Sequence, residues 1–366
     1  MQDKGRELLD REQPVLRFSV VMPNYNYGRF VGDAVRSALA VDWPDVEVIV
    51  VDDGSTDDSL EVLAEFGDRI TVLTQPNSGP RVACNRGYAV SSGDIVIFLD
   101  SDDQLEPSVA REVVGVWRGG ISKVQSEMLR VDSHGAPTGG TFPQLEPAPS
   151  PQQVRHWMET TGAYPTPPGS GNAYARSFLE QLFPLDDSAG DATDSACLAA
   201  APYLGDVVSI PKPLVRYRVH DDNRSKLNDP KRFAKQIERA FLRHRFALRV
   251  SGQPSDDAAV AAPLRRGRHL LQLRVAERRL NDTAPPIPGD GRARLLLDVV
   301  RSITAPGPEG PVRRVAVAAW CCLTLLAPGA FAHRLITRRF NPPVRTSLAP
   351  RAAAVLHERG ASDAGR

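Results

Sequence analysis

Short apolar runs alternate with stretches of helical spacing through the first 115 residues. Residues 18–22 form one such run, closed by Pro23, and residues 46–51 form another, closed by Asp52-Asp53-Gly54. Residues 70–74 and 95–99 complete a set of four predicted strands. Between them, residues 31–40, 59–66 and 81–90 have the spacing of amphipathic helices. Ser59 or a preceding aspartate caps the second, and Gly93 closes the third. Strands alternating with helices predict an α/β, mostly parallel sheet of Rossmann-like form.

From about residue 120 to 228 the pattern changes. Runs rich in proline and glycine, 143–151 and 164–171, predict long loops over a cleft. Helices are expected over 175–182 and 194–201, and strands over 207–210 and 214–219. Beyond residue 229 the chain reads as helical and rich in arginine, over 230–250 and 256–280. Residues 315–332 are uncharged and mostly apolar, bracketed by Arg313-Arg314 and by Arg334, Arg338 and Arg339. That run is at the short end for crossing a bilayer core of about 30 Å. It reads either as a core helix or as a membrane-surface segment with Trp320 and Phe331 near its two ends. The expected division is a polar arm (1–15), two halves of one catalytic domain (16–115 and 116–228), a helical extension (229–310), an apolar and basic segment (311–345) and a tail (346–366).

Composition narrows the function. The chain has 366 residues, 42% of them hydrophobic and 24% charged, enough to bury a core. A net charge of +1 gives no reason to expect nucleic acid as a partner. Cys84, Cys197, Cys321 and Cys322 lack metal-ligand spacing and read as reduced thiols. Residues 1–14 are polar and charged, unlike a signal peptide, so the expected location is cytoplasmic, at most peripheral on the inner face of the membrane.

The chemistry concentrates where two predicted strands end. Asp52-Asp53 follows one, and Asp100-Ser101-Asp102-Asp103 follows another. In a parallel sheet both ends face one crevice. Like charges at about 4 Å repel by roughly 4 kcal/mol at an effective dielectric near 20, and a hard divalent cation would hold them together. Oxygen donors of this kind suit Mg²⁺ or Mn²⁺, with phosphate oxygens as further ligands. Between the clusters, Gly79 begins a helix whose N-terminus favours anions, with Arg81 and Arg86 as candidate phosphate partners.

Four segments taken in order resemble the inverting family 2 glycosyltransferases of GT-A fold. They are Ser19-Val20-Val21-Met22-Pro23-Asn24-Tyr25-Asn26, Val50-Val51-Asp52-Asp53-Gly54-Ser55-Thr56-Asp57, Asn77-Ser78-Gly79 with Ala83-Cys84-Asn85-Arg86-Gly87, and Ser92-Gly93-Asp94 through Asp103. Tyr217-Arg218-Val219-His220, followed by Asn223 and Ser225, matches the family's later Tyr-Arg-x-His-x-x-Asn-x-Ser segment. The resemblance implies transfer of a sugar from a nucleotide diphosphate sugar, a UDP-sugar foremost, to a glycan or lipid-linked hydroxyl. It implies that Pro23, Tyr25 and Asp53, with Asp52 beside them, hold the nucleoside, and that Asn77 and Gly79 belong to the donor site. It places Asp100 near the ribose and Asp102 on the metal, with His220 as a further metal ligand or a donor to the diphosphate. Where the family often has Ala-Arg-Asn, this chain has Ala83-Cys84-Asn85, so the arginine role moves to Arg81 or Arg86. An inverting transfer needs a carboxylate base on the acceptor side. Asp191 and Asp194 are the candidates, and counting back from Ala201-Pro202-Tyr203-Leu204-Gly205 favours Asp194. Two rivals are a non-catalytic nucleotide- or glycan-binding protein on the same fold and a nucleotidyltransferase. The latter would carry a Gly-rich phosphate loop after the first strand, where this chain has Asn24-Tyr25-Asn26-Tyr27.

Overall fold

The apolar runs of the N-terminal half become adjacent strands of one sheet. In the computed structural model, which describes residues 15–190, 193–220, 232–281 and 285–340, they are β1 (Phe18–Asn24), β2 (Val46–Asp52), β3 (Thr71–Thr74) and β4 (Ile95–Phe98). The helices between them are α1 (Gly28–Leu39), α2 (Ser59–Ala64) and α3 (Pro80–Val90). β1 pairs in parallel with β2 and β4, and β2 with β3. β1 and β4 are buried along almost their whole length, because helices cover both faces of the sheet. The register sets Asn24 opposite Asp52 and Val21 opposite Phe98, so the polar ends of three strands emerge at one edge.

The second half continues the same sheet with strands of both senses. It contains β5 (Gln104–Leu105), α4 (Val109–Gly115), β6 (Ile121–Val131), β7 (Pro137–Phe142), α5 (Pro151–Thr161), β8 (Asn172–Ala175), α6 (Arg176–Leu179), α7 (Thr193–Leu204) and β9 (Asp206–Arg218). The order is β3-β2-β1-β4-β8-β6-β9-β5, with β7 beside β6. β8 runs antiparallel to both β4 and β6, so the sheet is parallel over its first four strands and mixed beyond them. The long strand β6 escaped the sequence reading because its buried positions include Ser122, Lys123, Gln125, Ser126 and Glu127. The two strands expected at 207–210 and 214–219 are one, β9, whose register against β6 shifts near Pro213. The helix expected over 175–182 is a single turn, α6. α5 begins at Pro151 with a capping box in which Ser150 and Gln153 satisfy each other's backbone amides.

Six helices complete the described chain: α8 (Phe233–Val250), α9 (Asp257–Leu264), α10 (Arg268–Leu280), α11 (Arg292–Thr304), α12 (Pro311–Leu326) and α13 (Gly329–Phe340). Several arginines of this region are structural. Arg274 is buried, binding Asp290 through two bonds of 2.6 and 2.7 Å and Asp298 at 2.7 Å. Arg268, also buried, binds Glu309 and the carbonyls of Ser302, Ala305 and Pro306. Losing one partner of such a pair costs about 3–5 kcal/mol. The apolar run 315–332 divides between α12 and α13, and its inner side, with Val317, Ala318, Cys321 and Leu325, packs on Leu271, Val275, Leu295 and Val299. Among the described residues no helix is long and apolar enough to cross a membrane. All four cysteines are free thiols.

Candidate active site

The strand ends of the N-terminal half are locked by their own polar side chains. Asp52, buried, accepts from Asn24 Nδ2 at 2.9 Å and from the Ser55 amide and hydroxyl at 3.0 and 2.6 Å. It ties β1 to the turn that follows β2. Asp53, also buried, accepts from Gln75 Nε2, the Ser78 amide and the Gly79 amide, each at 2.8 Å. Gly79 has φ +89°, a region glycine enters without steric cost, and it starts α3 from there. Asp53 therefore fixes the loop carrying the exposed Asn77 and the N-terminus of α3. Pro23 lends its carbonyl to the Ser101 hydroxyl at 2.9 Å, and Tyr25 is half-buried at the same edge.

The arginines predicted as phosphate partners are engaged elsewhere. Arg81 donates to the Leu185 carbonyl at 2.9 Å and pairs with Asp187. Asn85 exchanges two bonds of 2.9 Å with the Leu185 backbone. Both residues of α3 thus clamp the segment that leads toward Asp194. Arg86 donates to the Thr74 carbonyl at 2.5 Å.

Asp100, Asp102 and Asp103 each place a carboxylate oxygen within 4.8 Å of the others. Asp103 is buried and accepts from the Arg218 amide at 3.0 Å. Burial first, and then the charges of Asp102 and Asp100, hold its carboxyl well above the usual carboxylate range. A divalent cation would relieve this repulsion, and an all-oxygen donor set fits Mg²⁺ or Mn²⁺. His220 Nε2 lies 2.9 Å from Asp102 Oδ2. Arg29 Nη2, which can only donate, stands 3.4 Å from His220 Nδ1. A neutral tautomer with its hydrogen on Nε2 would donate to Asp102 and accept at Nδ1. His220 is thereby an orienting partner of a candidate ligand, and the 2.9 Å spacing also suits two adjacent octahedral ligands, which lie about 3 Å apart.

Arg218 is the arginine of the Tyr-Arg-x-His segment. It is buried, and it donates to the Asp102 carbonyl at 2.9 Å, to the Ser133 carbonyl at 2.7 Å and to Asp33 at 3.2 Å. Its guanidinium lies 4.8 Å from the Phe30 ring centroid. The residue holds β9, α1 and the acid turn together. A buried arginine is invisible to pattern reading, which treats charge as surface.

The second half of the sheet brings another acid to the same place. Asp194 lies in the first turn of α7, half-buried, and its Oδ1 accepts from the Ser195 amide at 2.7 Å. Gly169 separates it from the acid turn: a Cβ there would lie 3.5 Å from Asp194 Cβ and 3.9 Å from Asp100 Oδ2. Ser170 accepts from the Asp100 amide at 3.0 Å. Beneath Asp194 sits Lys123, wholly buried, bonded to Thr166 and Asn172 at 2.8 and 2.7 Å. Burial holds Lys123 well below the ordinary lysine range, while the charge of Asp194 acts in the opposite sense. Asp191 lies outside the described residues.

Residues 19–183 match the family model described as Glycosyl transferase family 2. Over those residues the chain is similar to that family. An uncharacterized glycosyltransferase of Nostoc sp. is 32% identical over 214 residues, which is 57% of this chain and 66% of the relative. The uncharacterized glycosyltransferase YibD of Escherichia coli is 35% identical over 96 residues, 25% of this chain and 28% of that protein. The chain thus spans less than two thirds of the length of either relative. Among solved structures, a fragment of Staphylococcus aureus TarS, residues 1–349, superposes with a TM-score of 0.52 at 17% identity, covering 89% of each chain. The sheet seen here accordingly has the GT-A fold, extended by a helical C-terminal region.

Proposed function

We propose that this protein is an inverting family 2 glycosyltransferase. It moves a sugar from a nucleotide diphosphate sugar to a hydroxyl of a growing glycan or a lipid-linked acceptor, in cell-surface polysaccharide or glycolipid synthesis. The observation that carries the proposal is the meeting of Asp194 with the Asp100–Asp103 turn across Gly169. That geometry sets a carboxylate from the acceptor half beside a phosphate-type cation site from the donor half. The TarS fragment solved with UDP-GlcNAc has the same fold, with a TM-score of 0.50, and this favours a uridine donor.

In the proposed reaction the acceptor oxygen forms its bond to the anomeric carbon as the bond to the diphosphate breaks. Asp194 takes the hydroxyl proton, and the charge departs with the nucleoside diphosphate. A Mg²⁺ or Mn²⁺ bound by Asp102 with its neighbouring acids would supply neutralisation of that charge. Asp53 and Gly79 shape the nucleoside pocket, and His220 and Arg218 keep Asp102 in place. Pro23 and Tyr25 border the pocket at the end of β1. The nucleotide sugars this requires belong to the cytoplasm.

Incubation with a panel of nucleotide diphosphate sugars and Mn²⁺, reading nucleoside diphosphate release, tests the proposal. One donor should be hydrolysed slowly alone and faster with a glycan acceptor, giving a product of inverted anomeric configuration. Donor binding without turnover across acceptors would make the chain a non-catalytic binding protein.

A further inference from the structure

The outer side of α12 is apolar at helical spacing. Val312, Val315, Ala316, Ala319, Leu323 and Leu326 are all exposed there. Val312 is 82% exposed and Leu326 72%, values suited to charged side chains on an ordinary surface helix. The neighbouring α11, which packs along α12, exposes Leu297, Val300 and Ile303, and α13 opens with exposed Phe331. Both α11 and α12 bury their other sides against Leu271 and Val275 of α10, so these apolar positions lie on the flank away from the sheet domain's helices. An exposed apolar surface of this kind marks a contact with something apolar.

Charge identifies the occupant. The segment from Arg292 to Phe340 contains two acids, Asp298 and Glu309, and both are spent internally, on Arg274 and Arg268. Arg301, Arg313, Arg334 and Arg338 are exposed around the apolar stripe. A surface that offers aliphatic side chains and cations, and no available acid among its described residues, matches the interface of an anionic bilayer. We infer that the flank formed by α11, α12 and the start of α13 docks on an anionic lipid surface, lying on it without spanning it. Leucine, valine and phenylalanine enter the acyl boundary, and the arginines meet the headgroup phosphates. A second copy of the chain would bury the apolar stripe equally well but would set the arginines against one another.

Co-sedimentation of the full chain with vesicles of phosphatidylcholine alone, and with added phosphatidylglycerol, tests this surface. Binding is expected only with phosphatidylglycerol, and weaker at high salt. Replacing Leu323 and Leu326 together by Asp should reduce the partition coefficient more than tenfold, since each change removes apolar area and adds repulsion. Arg313→Gln and Arg338→Gln should each cost about fivefold. None of these side chains is buried, and the thermal unfolding of each variant should match the parent. Absence of binding to either vesicle overturns the inference. So does binding that the Leu323→Asp/Leu326→Asp variant retains, or a parent dimer in solution that this variant converts to monomer.

Discussion

At Asp53 both carboxylate oxygens are taken by the loop that follows β3: Gln75 and the Ser78 amide on one, the Gly79 amide on the other. Hydrogen bonds to a charged acceptor contribute about 1.5–3 kcal/mol each. Asp53→Asn keeps one acceptor oxygen and turns the other into a donor facing an amide. Exchange of the Ser78 and Gly79 amides should accelerate about thirtyfold, the factor for a local opening made easier by about 2 kcal/mol, with UDP binding weakened in parallel. Unchanged exchange with weakened binding would mean that Asp53 acts on the nucleoside directly. Asp102 makes the complementary case. Asp102→Asn should abolish Mn²⁺ binding by calorimetry and with it donor turnover, while His220→Gln, which keeps a donor beside Asp102, should cost about tenfold in Mn²⁺ affinity, as loss of an orienting partner does. Equal losses in both variants would make His220 a ligand in its own right. That Asp100, Asp102 and Asp103 gather beside His220 was legible in the sequence, because the acids end an apolar run and the histidine stands in the Tyr-Arg-x-His segment. The linking work of Arg218, Asn85 and Ser170 was not, since their partners lie 70 to 116 positions away.

At the scale of elements, the sequence patterns held where burial was simple. β1, β2 and β4 are buried on both faces, and their apolar runs show it. β6 is buried too, but it carries a polar network, Lys123 with Thr166 and Asn172 and Gln125 with Pro165 and Ser209, and such a strand has no hydrophobic period to read. The same difficulty recurs where α8 meets α7. His244 is 1% exposed beside Tyr203, and neither ring nitrogen finds a hydrogen-bond partner among the described residues. Burial, with Arg243 adding to it, pushes its pKa down to about 4. In the unfolded chain a histidine titrates near 6.5. Between those values the unfolded state binds the extra proton, so stability is full above about pH 6.5 and falls as pH drops toward 4. From pH 8 to pH 5 this single group should withdraw about 2 kcal/mol. Urea unfolding at both pH values checks it: His244→Phe should flatten the pH dependence by that amount and leave pH 8 stability nearly unchanged. A parent and variant with equal slopes would show that His244 keeps its proton in the fold.

Across the whole molecule, the two halves share one sheet, and a few polar contacts join them where the proposed reaction is expected. Arg81 and Asn85 on α3 grip the segment 185–187, Ser170 holds the Asp100 amide, and Gly169 leaves the space between Asp100 and Asp194 open. In the proposed reaction a base acts in that space, and the first turn of α7 holds Asp194 beside it. Asp194→Asn should therefore lower kcat by about 10² or more, the range for loss of a general base, with the donor dissociation constant within a factor of about two, because ground-state donor contacts remain. Asp191→Asn should cost much less. Single-turnover transfer at saturating donor, with donor affinity measured separately, distinguishes the cases. Reversed effects would move the base to Asp191. Full activity in both variants would place proton removal outside this segment and would leave Asp194 as the acid that closes the first turn of α7.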